Sequence, residues 1–487
     1  MVPGKYLSKG VDVRASFEQW HEPTVDEYDV ARVKIDMLPD VALLKVFDFY
    51  VDEAWVEDWY TLVHVCQKWR KIVFWSPRRL DLRLCCTAGT PMEMLDVWPV
   101  LPIVVWSDGH EKWGVDNIIA ALEHSDRICR INFWRVPSTH FKNILAAVER
   151  PFPKLRRLLL GFEDEVALVD SDLFLGGSAS RLQTLWLDCI PFPGLPKLLL
   201  SATDLVRLDL WRIPHSGYFS PKAMVACLSV LTRLERLGIE FKSPRSRPDE
   251  KSRPPPPQAR TFLPALTELW FKGVGEYLED LVDRIDSPLL DMLDITFFHR
   301  LVFDTQRLTQ FISRTPKLKT CDRACVVFSD RAVSITFPHT FDRAFKLTIS
   351  CRWSDWQLSS LAQFFSPSIP QALFFAVEQL YIFEKQNSRT LWQDDIENSQ
   401  WLEFLRPFTV VKGLYISQEF TQRIAPTLQE LVGGRVTEVL PALRTLFLEQ
   451  ILPSGLVQFV AARELSSRPM TVSRWERGKE WYEIDRS

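Results

Sequence analysis

The sequence predicts an α/β protein in which a small all-helical module precedes an irregular solenoid of repeats, with parallel strands on the concave face. Three observations lead to this fold class. Two amphipathic helical patterns lie within residues 37–77. From residue 78 onward, the pattern x-L-x-x-L-x-(L/I/F) recurs fourteen times at spacings of about 22 to 34 residues. Helix-like segments separate these runs, so strand, turn, helix and return are repeated along the chain.

Length and local composition divide the chain. A chain of 487 residues is too long for one ordinary core, which favours several domains or a repeating architecture. We predict a mobile N-terminal segment (1–36), the helical module (37–77), the solenoid (78–465) and a C-terminal tail (466–487). The tail and a helix at 454–465 are expected to cap the last repeat, because an uncapped solenoid end exposes its core.

The helical module is predicted to contain two helices. The first begins after Leu38 and Pro39, where proline fits because its missing N–H has no intrahelical partner at that position. The second is expected to begin near Asp58, a good N-cap, and to end at Pro77. The acidic link VDEAWVED (51–58) joins them.

These two helices carry a resemblance to the F-box, the motif L-P-x-x-x-L-x-x-I-(F/L) followed by L-x-x-V-C-x-x-W-R. The matching stretches are MLPDVALLKVF (37–47) and LVHVCQKWR (62–70), within about a tenth of the chain, and their link is longer and more acidic than usual. The resemblance, to fungal-type F-box-like proteins, implies a substrate-recruiting adaptor of a cullin-RING (SCF-type) ubiquitin ligase that binds the Skp-type adaptor. The residues it implies for that contact are Leu38, Pro39, Leu43, Leu44, Val46, Phe47, Leu62, Val65, Cys66 and Trp69.

The repeats resemble leucine-rich repeats, in which each run supplies one parallel strand whose alternate apolar side chains fill the interior. The Asn or Cys expected near each strand end is mostly missing, although Cys189 lies about there. The resemblance implies that the repeats bind a target protein. The predicted strands are 79–84, 101–106, 127–133, 154–160, 181–187, 204–210, 233–239, 265–271, 289–295, 317–323, 344–350, 376–382, 410–416 and 442–448. The predicted helices are 115–125, 141–150, 221–231, 305–314, 358–366 and 454–465.

Two features of the repeats leave alternatives open. The Pro- and Arg-rich insertion at 243–260 is expected to be disordered, either as a solvated loop or as a docking or phosphorylation site at Ser243 and Ser246. Trp186, Trp211 and Trp270 lie late in predicted strands, where an aromatic side chain can pack in the core or rim or can contact a partner.

Composition and charge argue against several classes of partner. The net charge of −3 provides no broad basic excess for nucleic acid. No run of about eighteen apolar residues and no signal-peptide pattern is present, so we expect no membrane partner. Nine cysteines without the spacing of a disulfide framework indicate reduced core thiols. We therefore expect a cytoplasmic or nuclear protein.

The sequence also lacks the common catalytic motifs. It contains no G-x-x-x-x-G-K-[ST], no H-E-x-x-H and no G-x-S-x-G, which removes the usual supports for phosphate binding, zinc hydrolysis and an activated serine. Cys321 and Cys325 are the nearest approach to a metal pair, but no second pair follows at finger spacing. We expect no enzyme activity, no cofactor and no metal.

A second hypothesis treats the helical pair as the N-terminal cap of a non-ligase interaction scaffold. A cap predicts that Leu43 and Trp69 are buried within the chain itself, and that deletion of residues 37–75 unfolds the repeats. A docking module predicts that the truncated repeats stay folded.

Overall fold

The computed structural model describes residues 38–53, 59–75, 83–87, 89, 101–107, 115–163, 173–246, 259–298, 305–319, 321–338, 343–351, 353–365, 376–385, 388, 398–431, 433–449 and 454–476. The chain divides into two units, residues 1–81 and residues 82–487. The predicted N-terminal segment 1–36 and part of the acidic link, residues 54–58, lie outside the described residues.

In the first unit, the described residues form three helices: α1 (Asp40–Glu53), α2 (Trp59–Val65) and α3 (Gln67–Trp75). The prediction of one continuous second helix was wrong, because the chain breaks between α2 and α3 at Cys66. The Sγ atom of Cys66 accepts a hydrogen bond from the backbone N–H of Trp69 at 3.5 Å. Arg70 Nε donates to the carbonyl of Val63 at 2.9 Å. Side chains therefore satisfy backbone groups at both helix ends, which makes the break stable.

The second unit contains a sixteen-stranded sheet. Its strands occur in the spatial order β1 (Leu84–Cys86), β2 (Ile103–Ser107), β3 (Ile128–Val136), β4 (Arg157–Phe162), β5 (Thr184–Asp188), β6 (Arg207–Ile213), β7 (Arg236–Phe241), β9 (Glu268–Gly273), β11 (Met292–Phe297), β14 (Arg343–Ser350), β13 (Ala332–Pro338), β12 (Arg323–Phe328), β15 (Gln379–Glu384), β16 (Gly413–Ile416), β17 (Thr445–Leu448) and β18 (Thr471–Arg474). A separate parallel pair joins β8 (Thr261–Phe262) to β10 (Ile285–Asp286).

The leucine pattern explains where most strands begin. In the run 204–210, Leu205 is fully buried in the turn before β6, and the N–H groups of Val206 and Arg207 donate to the carbonyl of Gln183 in the preceding repeat. Leu208 and Leu210 then point to the core from within the strand. The first leucine of a run thus anchors the turn, and the next two anchor the strand. The strand pairing confirms the predicted parallel sheet over most of its length.

Helices connect the strands along one side of this sheet: α4 (Val115–Glu123), α5 (Phe141–Val148), α6 (Leu195–Leu199), α7 (Pro221–Leu228), α8 (Gly275–Val282), α9 (Gln306–Arg314), α10 (Ser354–Phe364), α11 (Asn398–Leu405), α12 (Gln418–Gln429) and α13 (Ser454–Leu465). All six predicted helices are present. The helices α6, α8, α11 and α12 were not predicted. We call the side of the sheet turned away from these helices the open face.

One part of the sheet departs from the parallel repeat. The run 317–323 was predicted as a strand, but Pro316–Lys319 forms a 3-10 helix and the strand β12 begins only at Arg323. The strand β13 follows and pairs antiparallel with both β12 and β14. The strands β12 and β14 in turn pair parallel with β15 and β11. A three-stranded meander therefore replaces one repeat.

The structure describes only the ends of the predicted insertion, since residues 247–258 lie outside the described part of the chain. Ser246 is buried, with 1% of its surface exposed, and Ser243 Oγ accepts a hydrogen bond from the N–H of Arg245 at 3.2 Å. Burial keeps a kinase away from Ser246, so of the two serines only the half-buried Ser243 suits the phosphorylation hypothesis.

The C-terminal tail adds the edge strand β18, which pairs parallel with β17. On the open face beside it, Tyr381 stacks on Tyr415, and Tyr415 stacks on Phe447, with 4.1 Å between ring centroids in both pairs. Trp475 directly follows β18 and lies 5.6 Å from Tyr415 and 6.0 Å from Tyr381. Its indole is only 9% exposed, so it closes an apolar cluster that the helices do not cover.

We predict that Trp475→Ala lowers the free energy of unfolding by about 2–3 kcal/mol, because it removes the cover of this cluster and leaves its rings in contact with water. Thermal unfolding followed by circular dichroism measures the change. Trp356→Ala is the matched control, since Trp356 is 42% exposed and its loss is expected to cost less than about 1 kcal/mol. Equal effects of the two variants would contradict a stabilising role for Trp475.

Candidate functional site

The residues predicted to bind a Skp-type adaptor divide into buried and accessible groups. Leu43 and Phe47 are fully buried, and Leu44, Leu62 and Trp69 retain at most 9% of their exposure. The remaining members reach solvent: Pro39, Val46 and Val65 are exposed, and Leu38 and Cys66 are half-buried.

The buried group forms the core of the helical module. The rings of Phe47 and Trp69 lie 4.8 Å apart, which joins α1 to α3. Leu43 and Phe47 are one helical turn apart on α1, so both face the same neighbours. Lys68 Nζ donates to the carbonyl of Leu38 at 3.0 Å and holds the start of α1 against α3. These residues therefore hold the helices together and position the accessible ones.

The helical module also exposes apolar side chains on all three helices. Val41, Val46 and Phe49 on α1 are 61%, 51% and 65% exposed, and Val65 and Trp75 are 53% and 82% exposed. The motif did not include Val41, Phe49 or Trp75. Val41 and Phe49 are eight residues apart, about two helical turns, on the side of α1 away from Leu43, but Lys45 lies between them and interrupts the apolar pattern.

A row of arginines crosses the open face of the sheet in the second unit. The register pairs Arg130 with Arg157, Arg157 with Thr184, Thr184 with Arg207, and Arg207 with Arg236. Each arginine alternates with residues that point to the core, so its side chain lies on the open face. We call Arg130, Arg157, Arg207 and Arg236 the arginine row.

A buried carboxylate organises half of this row. Asp209 is fully buried and pairs with the guanidinium groups of Arg207 and Arg236, the latter at 3.1 Å. Arg236 also pairs with Glu268 at 3.0 Å. Gly238 on the next strand leaves the necessary room, because a Cβ atom there would lie 2.6 Å from Asp209 Oδ1. The network fixes two guanidinium groups at defined positions.

Tryptophans lie next to the arginine row. Trp134 is 42% exposed and stacks on Trp186 with 4.5 Å between centroids. A Cβ atom at Gly161 would lie 2.8 Å from the Trp186 ring, so glycine allows that ring to lie flat on the sheet. The guanidinium carbon of Arg236 lies 5.2 Å from the centroid of Trp270. We call Trp134, Trp186, Trp211 and Trp270 the tryptophan group. The strand register places the last three on the open face, and Trp134 lies there because it stacks on Trp186.

The cysteines do not assemble into a metal site within the described residues, where no group of three or more His, Cys, Asp or Glu side chains could hold an ion. Burial raises the pKa of the Cys321 thiol to about 11 and also raises the pKa of the Cys325 thiol. The Cys321 thiol donates to the carbonyl of Phe337 at 3.6 Å. Burial therefore favours the protonated form of both thiols. Among the described helices, none is both long and apolar enough to cross a membrane.

A scan against protein-family models finds no match, and a search of curated proteins finds none either. Among solved structures, the chain is similar to the leucine-rich repeat-containing protein LegL7 from Legionella pneumophila, with 12% identity and a TM-score of 0.28 over 80% of this chain and 98% of that chain. The repeat architecture rests on the strand pairing of this protein itself.

We predict that Asp209→Asn destabilises the protein by about 1–3 kcal/mol, since it leaves two arginines without their buried anion. Urea unfolding measures the change. Asp204→Asn is the control, because the pair Asp204–Arg233 at 3.1 Å is exposed and is expected to contribute less than about 1 kcal/mol. Equal losses from both variants would show that burial gives Asp209 no special role.

Proposed function

We propose that the protein is a substrate-recruiting adaptor of a cullin-RING ubiquitin ligase of the SCF type. In this proposal the helical module binds the Skp-type adaptor, and the repeats bind a target protein for ubiquitin transfer. The protein itself performs no catalysis and needs no cofactor or metal. It acts in the cytoplasm, the nucleus or both.

The observation that carries the proposal is the set of exposed apolar side chains on the helical module. Val46 and Val65, which belong to the F-box pattern, are more than half exposed. Val41, Phe49 and Trp75 are exposed to a still greater extent. A module this small gains from covering such residues, and apolar and aromatic side chains of this kind contribute strongly to protein interfaces.

The second unit supports the target-binding half of the proposal. Its open face presents tryptophan and arginine, the residue types most enriched at interaction hot spots. The leucine core and the Asp209 network fix their backbone and side-chain positions before a partner arrives, which lowers the entropy lost on binding.

A second function remains a candidate because Leu43, Phe47 and Trp69 are buried inside the helical module. Burial of these motif residues is what a structural cap requires. In that case the protein is a non-ligase interaction scaffold, whose repeats bind a partner without delivering it for ubiquitin transfer.

We predict that Val46→Asp combined with Val65→Asp weakens binding to a Skp-type adaptor by at least about tenfold, because it places two charges in an apolar contact. Co-purification and calorimetric titration measure the effect. Val457→Asp combined with Leu465→Asp is the matched control, since these apolar residues of α13 are 50% and 88% exposed in the second unit. Unchanged adaptor binding by the Val46 and Val65 variant would exclude the proposed docking side.

We also predict that residues 82–487 retain cooperative thermal unfolding when residues 1–81 are removed, because the leucine core of the repeats is formed within the second unit. Circular dichroism and calorimetry on the shortened chain measure this. Loss of the folded repeats would instead identify the helical module as a cap and favour the scaffold.

A further inference from the structure

We propose that the open face of β3 to β9 binds an extended, acidic segment of the target that also carries aromatic or aliphatic residues. Its carboxylates bind the arginine row, and its apolar side chains cover the tryptophan group. This inference deepens the proposed function, on which it rests for the statement that the bound protein is a ligase target.

The charge of this face supports an acidic ligand. Arg157 is the exposed second member of the arginine row, and among the described residues its guanidinium has no ion pair or hydrogen bond. Arg207 shares Asp209 with Arg236 and keeps 45% of its side chain exposed. Arg157 thus carries a positive charge that no described carboxylate pairs with, although the whole chain has a net charge of −3.

Neighbouring ion pairs do not cancel this charge. Arg212 binds both carboxylate oxygens of Asp188 at 2.6 Å, and Lys272 pairs with Glu240 at 2.8 Å. Each of these acids has its own cation on the same face. The charge of Arg157 therefore remains available to a ligand.

The dimensions of the row favour an extended chain over a small anion. Arg130 and Arg236 lie on strands four positions apart in the sheet order. Neighbouring strands are separated by about 4.8 Å, so the row spans roughly 19 Å, the length of about six residues of extended polypeptide. A single carboxylate or phosphate reaches only one or two of these arginines.

The tryptophan group favours polypeptide over a polyphosphate chain. Trp134 is 42% exposed, and its stacking on Trp186 holds its ring in a fixed orientation. A polypeptide can place an aromatic or aliphatic side chain on that ring while its acidic neighbours bind arginine. A polyphosphate has no group to cover it.

The test uses the full chain and a fluorescein-labelled random copolymer of glutamate and tyrosine, with binding followed by fluorescence anisotropy. We expect binding that weakens as salt rises, because the contacts are ionic and partly exposed. Arg157→Glu is expected to weaken binding by about fivefold or more, since it replaces an attraction by a repulsion. Trp134→Ala is expected to weaken binding of this copolymer while leaving binding of polyglutamate unchanged.

Arg331→Glu is the matched control, because Arg331 is 89% exposed in the turn between β12 and β13 and lies outside the arginine row. It is expected to change affinity by less than about twofold. Equal weakening by Arg157→Glu and Arg331→Glu, absence of copolymer binding, or equal Arg157-dependent binding of inorganic polyphosphate would each overturn the proposal.

Adaptor binding separates this proposal from the ligase function. The Arg157→Glu variant should bind the Skp-type adaptor as the unmodified chain does, because the change lies in the second unit. Copolymer binding without adaptor binding would leave the acidic-segment site in place on a scaffold. Adaptor binding without copolymer binding would leave the ligase function in place and reject this site.

Discussion

Each strand of the sheet relies on its neighbours to bury its leucines, since one short strand cannot exclude water from its own side chains. The register aligns one leucine from each of six strands in a continuous column, and all six are fully buried: Leu158, Leu185, Leu208, Leu237, Leu269 and Leu293. This shared burial fixes the strand spacing and direction. It also fixes which positions of each repeat can vary, because the alternate residues on the open face carry no such requirement.

The open face is where the repeats differ from one another, and its chemistry changes along the sheet. Arginine, tryptophan and the buried Asp209 occupy β3 to β9, whereas stacked aromatic rings occupy β15 to β17 and are closed by Trp475. One region therefore keeps charge and aromatic surface accessible, and the other removes its aromatic surface from water. The same backbone supports both because the core contacts lie on the other side.

The spacing of apolar residues was enough to predict most strands and six helices, because it shows which side chains of each segment are buried in the core. Short or interrupted helices could not be predicted from periodicity. Leu195–Leu199 is too short to show a helical period, and Gln418–Gln429 contains Pro426, a residue that normally marks a helix end. The antiparallel direction of β13 could not be predicted from the sequence either, because the alternation of apolar residues is the same in parallel and antiparallel strands. Alignment of the runs by their leucines would have shown the arginine row. The burial of Asp209 could not be predicted, because it depends on the absent side chain of Gly238 in the next repeat.

The meander of β12 to β14 has a consequence for how this chain can change length. The chain reverses direction twice within the meander, once between β12 and β13 and once between β13 and β14. The repeats before and after it therefore run in the same direction only while the meander contains an odd number of strands. Its spatial order is also inverted, with β14 beside β11 and β12 beside β15. Whole repeats can be gained or lost elsewhere in the sheet without changing the direction of the strands that follow. At the meander, loss of one strand would leave a single reversal and would turn the strand direction of every later repeat. The number of whole repeats can therefore change on either side of the meander, whereas the meander itself must keep its three strands or lose two together.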